Sequence, residues 1–590
     1  MPKLTIDGRA VEVPEGTSVL DAARQAGVKI PTLCYLEKVQ AIGACRVCLV
    51  EVAGAKTLAA SCVLPAAEGM KVHTNTQRVR DARRMVVELL LSEHAGNCQT
   101  CDRNNDCELQ AVAHDLGIHT ITFEGAKTRA DVDASTPAVV RDNGKCIKCR
   151  RCVAVCSQIQ AVGALFPQFR GFKTVIGPAF GRDLDTVACV QCGQCAAVCP
   201  VGAIVEQSST GAVWAALEDK SKTVVVQTAP AVRASLGECF GLPAGTLVTG
   251  KMMAALRRLG FAAVFDTNFT ADLTIIEEGM ELLHRLTAAV RDGQKVALPQ
   301  FTSCSPGWIR YVEYFYPEFI PNLSPCKSPQ QMFGAVAKTY WAQKVHKQAE
   351  DIFVVSVMPC HAKKSEALRP EMNSSGVQDV DAVLTTRELA RMIQQAGLDF
   401  VNLPDETVDK VLGMSSGAAD IFANTGGVME AALRTAYEVI TGRPLPFDNL
   451  HFGPVIGLQG IKEGSFAITG ALPEFSFLEG VTVKVAVANG LSNARQLMEQ
   501  LKSGEKTYHF VEVMTCPGGC IGGGGQPRLT TDAVRQSRLK ALYREDEKKA
   551  LRKSHDNPKI KQIYGEFLGM PLGATSHHLL HTEYKARDRA

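Results

Sequence analysis

Long apolar runs are missing from this chain: no stretch reaches the length a helix needs to span a bilayer. The opening residues, Met1 to Gly8, read as a strand and turn and lack the apolar core of an export signal. A cytoplasmic protein is expected. An excess of either charge is missing too. The 64 Lys and Arg against 61 Asp and Glu leave a formal charge of +3 over 590 residues, which argues for no nucleic acid and no strongly charged partner. No G-x-G-x-x-G sits between a strand and a helix in a βαβ unit, so no dinucleotide site is expected. Cysteine, by contrast, is plentiful, with 21 residues. In a reducing compartment these are not expected to pair as disulfides, and their spacing must separate structural thiols from metal ligands.

The length allows several domains. In residues 1–80, a hairpin about Asp7-Gly8 and a short helix closed by Gly27 precede Cys34, Cys45, Cys48 and Cys62, spaced C-x10-C-x2-C-x13-C. Plant-type ferredoxins have a shorter first gap, and a four-cysteine zinc site is the alternative. In residues 81–135, a helical stretch from Val79 to Ser92 carries Arg83 and Arg84 on a polar side. It leads into His94, Cys98, Cys101 and Cys107, a set that suits zinc as Cys3His or an iron–sulfur cluster. In residues 136–210, Cys146, Cys149, Cys152 and Cys156 are followed at the same intervals by Cys189, Cys192, Cys195 and Cys199-Pro200. This doubling is the bacterial two-cluster ferredoxin pattern, in which each fourth cysteine ligates the other cluster. Cys146, Cys149, Cys152 and Cys199 are therefore assigned to one [4Fe–4S], and Cys189, Cys192, Cys195 and Cys156 to the other.

From residue 211 to 530, hydrophobic strands alternate with amphipathic helices, an α/β organisation. Three strand-like runs end in cysteine: Val296 to Cys304-Ser305, Asp351 to Cys360, and Tyr508 to Cys516, the last followed by Cys520 in a loop with six glycines. Ligands in open α/β folds lie beyond the carboxyl ends of the strands, so the three ends imply one shared site. Met358 and Met514 each stand two residues before a cysteine, on the same side if the strand continues. Along Leu273 to Leu286, steps of about 100° gather Glu278, Glu281 and Arg285 on one stripe, which spacing alone reads as a solvated face with an i,i+4 ion pair.

The three cysteine-ended segments resemble the signature motifs of [FeFe]-hydrogenases, T-S-C-C-P-x-W, M-P-C-x-x-K-[KE] and E-x-M-x-C-x-x-G-C, in that order. The N-terminal spacings resemble the [2Fe–2S] and histidine-ligated [4Fe–4S] domains of the longer members. The resemblance implies multidomain α/β and α+β architecture, with N-terminal ferredoxin-like iron–sulfur domains before an α/β H-domain. It implies an H-cluster, a [4Fe–4S] cube joined to a diiron unit with CO, cyanide and a dithiolate, plus one [2Fe–2S] and three accessory [4Fe–4S] clusters. Cys360, Cys516 and Cys520 would hold the cube. Cys304, Glu278, Ser324, Glu281 and Arg285 would move protons, and Lys363, Pro230, Gln330, Met358 and Met514 would line the pocket. The serine that commonly follows Pro230 is Ala231 here. The implied reaction is reversible H2 oxidation, in a catalytic subunit of the NAD(P)-linked multimeric type. Its electrons would pass to a flavoprotein and a thioredoxin-like [2Fe–2S] subunit, or to ferredoxin in a stand-alone enzyme.

One departure is chemical. Ser305 occupies the position of the fourth cube ligand, where the family carries cysteine. A hydroxyl gives up its proton far less readily than a thiol and is the harder ligand. Reduced activity is expected, and a redox sensor or electron conduit is the competing reading. Residues 531–590 resemble the family's small subunit, fused here. Its His577, His578 and His581 are expected to be solvated, and Cys239 and Cys326 to be structural thiols.

Overall fold

The computed structural model describes residues 1–127, 131–528 and 530–589. It divides into two compact units, one of Met1–Gln158, Gly163–Val187 and Val198–Val205, the other of Ile159–Val162, Ala188–Ala197 and Glu206–Ala590. Cys189, Cys192 and Cys195 thus count with the second unit, while Cys156 and Cys199 of the same ferredoxin-like block count with the first.

In the first unit the expected hairpin forms between Lys3–Ile6 and Arg9–Glu12. Lys71–His73, Leu49–Val52 and Ala59–Ala60 extend the sheet to five strands. The helix Val19–Gln25 starts at Ser18, whose hydroxyl accepts from the Asp21 N–H, and Gly27 follows at φ +71°. The helix Gln77–Glu93 delivers His94 at its C-terminal cap. Arg83 departs from the sequence reading: it is buried, and its guanidinium donates to the Leu49 carbonyl at 2.6 Å, tying this helix to the sheet.

Two sheets form the second unit. Ala263–Asp266, Thr223–Thr228, Ile352–Met358 and Ala382–Thr385 are all parallel, in that order. Runs such as Thr223–Thr228 (Thr-Val-Val-Val-Gln-Thr) suit a strand covered on both faces, where β-branched side chains pack and no polar face is needed. Gln300–Phe301, Phe510–Met514 and Thr482–Asn489 form a second parallel set, with Ile461–Ala467 antiparallel on its edge. The first cysteine-ended run is strand only at Gln300–Phe301, shorter than its apolar length suggests.

The helix Asn268–Leu286 joins the two cores. Phe269 and Leu273 pack with the first sheet, and Ile275, Leu282, Leu283 and Leu286 with the second. The C-terminal segment is held by buried charge. Arg434, fully buried on the helix Gly427–Thr441, pairs with Glu430 at 2.6 Å and with Asp546 of the helix Asp532–Lys548 at 2.9 Å. Arg434→Leu would remove the cation that Glu430 and Asp546 share, leaving Asp546 to Arg552 at 2.7 Å and Glu430 to His451 at 2.8 Å. An uncompensated loss of this kind costs about 3–5 kcal/mol, and these remaining partners place the expected loss at or below the lower end. The urea midpoint of this unit should fall accordingly; an unchanged midpoint would mean that water replaces the guanidinium.

Candidate functional site

The strands Ile352–Met358 and Phe510–Met514 both run their carboxyl ends into one cavity. Its wall includes Met358, Cys360, Met514, Cys516, Cys520, Cys304, Ser305 and Lys363. Pro230, just beyond Thr223–Thr228, and Gln330 complete the sequence-predicted lining. The volume is about 80 Å³, several times the 10–15 Å³ that admits one water.

Glycine makes this convergence possible. The Gly525 N–H donates to the Pro359 carbonyl at 2.8 Å, joining the Cys520 loop to the Cys360 loop. A Cβ on Gly523 would fall 2.1 Å from the Pro359 oxygen, and one on Gly519 2.7 Å from the Thr425 nitrogen. Neither space exists for a side chain. Arg387 braces the loop, donating to the Gly524 carbonyl at 2.8 Å while pairing with buried Glu206 at 2.9 Å.

Burial pushes the thiols of Cys360, Cys516 and Cys520 up, Cys520 to about 12, and the charge of Cys360 raises the other two further. Three thiolates can therefore face one another only around a cation, and an iron–sulfur cube supplies that positive charge. The donor set fits such a group. Lys363 is the single ammonium or guanidinium among the lining residues. Its ammonium is held by Glu366 at 2.8 Å, and Glu366 also accepts from Ser328 at 2.9 Å and Gln330 at 3.1 Å. Sequence reasoning missed Glu366. The available signal was its place three residues after Lys363, one helical turn on.

Ser305 lies at the cavity wall with its hydroxyl engaged by Thr515. The two hydroxyls are 2.8 Å apart, and the Thr515 N–H donates to Ser305 Oγ at 3.2 Å. Cys304 beside it is pushed well above the ordinary thiol range by burial and then by the charge of Glu278. Glu278 is 1% exposed, and neither carboxylate oxygen closes a hydrogen bond of ordinary geometry, although the Ser324 hydroxyl and the Ser303 N–H favour its charged form. Burial raises it to about 8. Farther out, Glu281 and Arg285 pair at 3.0 Å, and Arg285 also donates to the Leu323 carbonyl at 3.1 Å, one residue before Ser324. The stripe is not a solvated face. Glu278 is enclosed, and exposure rises to 22% only at the Glu281 side chain.

Some of the other predicted ligands also come together. Cys146, Cys149, Cys152 and Cys199 line one small cavity. Cys48 and Cys62 lie 3.4 Å apart, and Cys34 interacts with both Cys45 and Cys62. Cys107 is pushed up by burial, and Cys101 is close enough for its charge to act on it. The His94 side chain is half-buried with its Nδ1 enclosed and unpaired, while Cys98 is exposed. His581 corrects the sequence reading: it is 6% exposed, and its Nε2 lies 2.9 Å from Glu277 and 3.9 Å from the Cys326 sulfur.

The family profile described as "Iron only hydrogenase large subunit, C-terminal domain" matches residues 222–524. Profiles for a 2Fe-2S iron-sulfur cluster binding domain, the NADH-ubiquinone oxidoreductase-G iron-sulfur binding region and a 4Fe-4S dicluster domain match 2–77, 83–122 and 145–203. "Iron hydrogenase small subunit" matches 532–587. The chain is 49% identical to the NADP-reducing hydrogenase subunit HndD of Solidesulfovibrio fructosivorans, over the whole of both chains. It is 39% identical to iron hydrogenase 1 of Clostridium pasteurianum, covering 99% of this chain and 100% of that one. Among solved structures, a single-substitution variant of the [FeFe]-hydrogenase HydA1 from Chlamydomonas reinhardtii is 45% identical with a TM-score of 0.58. That match covers 64% of this chain and 99% of the other.

Glu278 makes stability pH-dependent with a definite sign. The folded protein holds its proton up to about pH 8 whereas the free carboxyl releases it near 4.5, so stability is lost as pH rises through that window. Glu278→Gln should therefore gain urea stability over the parent between pH 5 and pH 9. A gap that stays constant would mean the carboxyl is not buried as an acid.

Proposed function

The chain belongs to the [FeFe]-hydrogenase family, an oxidoreductase with 2Fe-2S and 4Fe-4S domains, and on that premise we propose the following division of labour among its residues. Cys360, Cys516 and Cys520 hold the cube of an H-cluster, and Pro230, Gln330, Lys363, Met358 and Met514 surround its diiron unit. Convergence of the three thiols on one cavity is the observation that carries this reading. When bound, the cluster supplies metal-centred polarisation of H2 and stores electrons.

The chain's own contribution is protonic. Cys304 passes a proton to Glu278, and Ser324, Glu281 and Arg285 pass it outward. A carboxyl poised near 8 changes state close to neutrality, where proton exchange in both directions is fastest. Burial keeps bulk water from short-circuiting the route. The soft methionine sulfurs keep the wall apolar.

Accessory ligands follow the sequence assignment: Cys34, Cys45, Cys48 and Cys62 for a [2Fe–2S]; His94, Cys98, Cys101 and Cys107 for a [4Fe–4S]; and the two ferredoxin-like sets for two more. With imidazole in place of thiolate, the His94 site carries less negative charge and a higher potential. Likeness to a subunit of an NADP-reducing hydrogenase supports a cytoplasmic multisubunit complex with a flavoprotein and a thioredoxin-like [2Fe–2S] partner. A stand-alone preparation that turns over with ferredoxin and not with nicotinamide would favour the ferredoxin-coupled form instead.

Ser305 bears on the rate. Engaged by Thr515, it stays an alcohol and is a poor iron ligand. If Cys304 ligates in its stead, the relay loses its first member. Ser305→Cys is expected to raise hydrogen turnover per occupied site, and equal turnover by both forms at full occupancy would contradict this. Infrared spectra should carry CO and cyanide bands alongside hydrogen turnover in the matured protein. Bands without turnover would favour a redox sensor, and no bands after maturation would favour an electron conduit. Glu278→Gln should lower turnover by about 10²–10⁴ with those bands unchanged.

A further inference from the structure

The chain-wide balance of charge conceals a local imbalance. From residue 143 to 182 there are seven cations (Lys145, Lys148, Arg150, Arg151, Arg170, Lys173 and Arg182) and no carboxylate. Lys145, Lys148 and Arg151 are paired with Asp142, Glu93 and Glu108. Arg150, Arg170 and Lys173 stand exposed.

The same stretch carries its aromatic residues outward. Phe166–Gln168 and Val175–Gly177 form a two-stranded hairpin. Phe166, Phe169 and Phe172 on it are 45%, 74% and 52% exposed, and Phe180 just beyond is 96% exposed. Four such side chains left in water within 15 residues form an apolar patch rather than singly scattered surface residues, and a patch of this kind marks an interaction site. The exposure is built in. Phe169 and Phe180 have φ of +60° and +59°, a region that costs a bulky residue energy. The Gln168 side chain holds the hairpin mouth, accepting from the Gly181 N–H at 3.1 Å and donating to the Pro178 carbonyl.

This hairpin touches the first ferredoxin-like cysteine run. The Lys148 ammonium donates to the Phe172 carbonyl at 3.3 Å and lies 5.4 Å from the Phe172 ring centroid. The Lys148 backbone N–H lies 3.4 Å from the Cys146 sulfur. One residue thus connects an exposed aromatic to a sulfur of the cavity formed by Cys146, Cys149, Cys152 and Cys199.

We propose that the hairpin 166–182 is the docking surface of an acidic one-electron carrier protein, one that presents an apolar centre ringed by carboxylates. The carrier would exchange electrons with the cluster held by those four cysteines. The inference rests on the proposed ligand set. In the direction of H2 evolution the carrier loses one electron and the cluster gains it, and no bond is made or broken. Oxidation of H2 runs the exchange backwards. The phenylalanines supply the apolar centre, and Arg150, Arg170 and Lys173 supply the complementary rim, which steers encounter more than it adds affinity. Aromatic residues among cations also suit single-stranded nucleic acid. Contact with a cluster-bearing loop, in a protein whose reaction consumes or releases electrons, favours the carrier.

The test uses the full chain with its clusters loaded and an acidic [2Fe–2S] ferredoxin as probe. Stopped-flow absorbance follows reduction of the chain's clusters by reduced ferredoxin. Arg170→Glu with Lys173→Glu should slow the second-order rate about tenfold and flatten its dependence on salt. Phe169→Ser with Phe180→Ser should slow it several-fold without changing the salt slope. Reduction by methyl viologen, which needs no docking surface, should be unaffected in both. Ferredoxin rates equal to the parent's would overturn the proposal. So would a parallel loss with viologen, which would make the hairpin a structural support, or competition by single-stranded DNA stronger than that by ferredoxin. Hydrogen turnover with viologen, measured separately, reports on the hydrogenase reading, so failure of one is not failure of the other.

Discussion

Close approach of bare backbone is the constraint from which the site follows. The loop Gly518–Gly525 lies against the Cys360 loop because Gly523 carries no Cβ to meet the Pro359 oxygen, and against the Cys192 carbonyl because Gly524 carries none either. Three cysteine-bearing loops therefore meet at glycines. A methyl group at either position would separate the walls by more than a thiol's reach can recover, since protein interiors have no slack of that size. The parallel sheets bring their strand ends to the same region, but it is the glycines that let sulfur face sulfur.

The helix Asn268–Leu286 shows how neighbouring residues take opposite roles. Glu277 is fully satisfied: it lies 2.9 Å from His581, accepts from the Leu572 N–H at 3.1 Å, and accepts from the Tyr564 hydroxyl. Glu278, one step of about 100° around the helix, is buried with no closed hydrogen bond and holds its proton up to about 8. The first is an anchor for the C-terminal segment. The second is chemically available because nothing occupies it. A carboxyl left this way is costly to fold, and the anchors contributed by His581, Asp546 and their partners offset that cost elsewhere in the same unit.

Spacing made the thiols legible. Intervals of two and three residues in Cys146–Cys156 and Cys189–Cys199 reflect the reach of cysteines around a compact cluster, which a single sequence displays in full. Register did the same for Met358 with Cys360 and Met514 with Cys516, all four of which reach the cavity wall. Burial of charge was not legible. No local pattern marks Arg83 or His581 for burial, and only the Leu49 carbonyl and the carboxylate of Glu277 turn them inward. Long-range partners of this kind leave no periodic trace. The shortness of Gln300–Phe301 is another example, since only these two residues of the cysteine-ended run pair with Phe510 and Val511.

Cys304 and Ser305 illustrate what a single side chain can be asked to do. They open the helix Pro306–Phe315, and adjacent positions there face different neighbours. Cys304 is placed where the charge of Glu278 acts on it, and Ser305 is turned to Thr515, the residue before Cys516. On the proposed reading, a thiol at 305 would put a fourth sulfur beside the other three and leave Cys304 to the proton path. With a hydroxyl there, only one sulfur remains for two tasks. The Thr515 N–H pointing at Ser305 Oγ favours negative charge on that oxygen, yet an alcohol starts so far from ionisation that one neutral donor does not bring it within range. Geometry therefore leaves Cys304 with Glu278, and on the proposed reading the competition between ligand and relay would fall on the cluster side of the site.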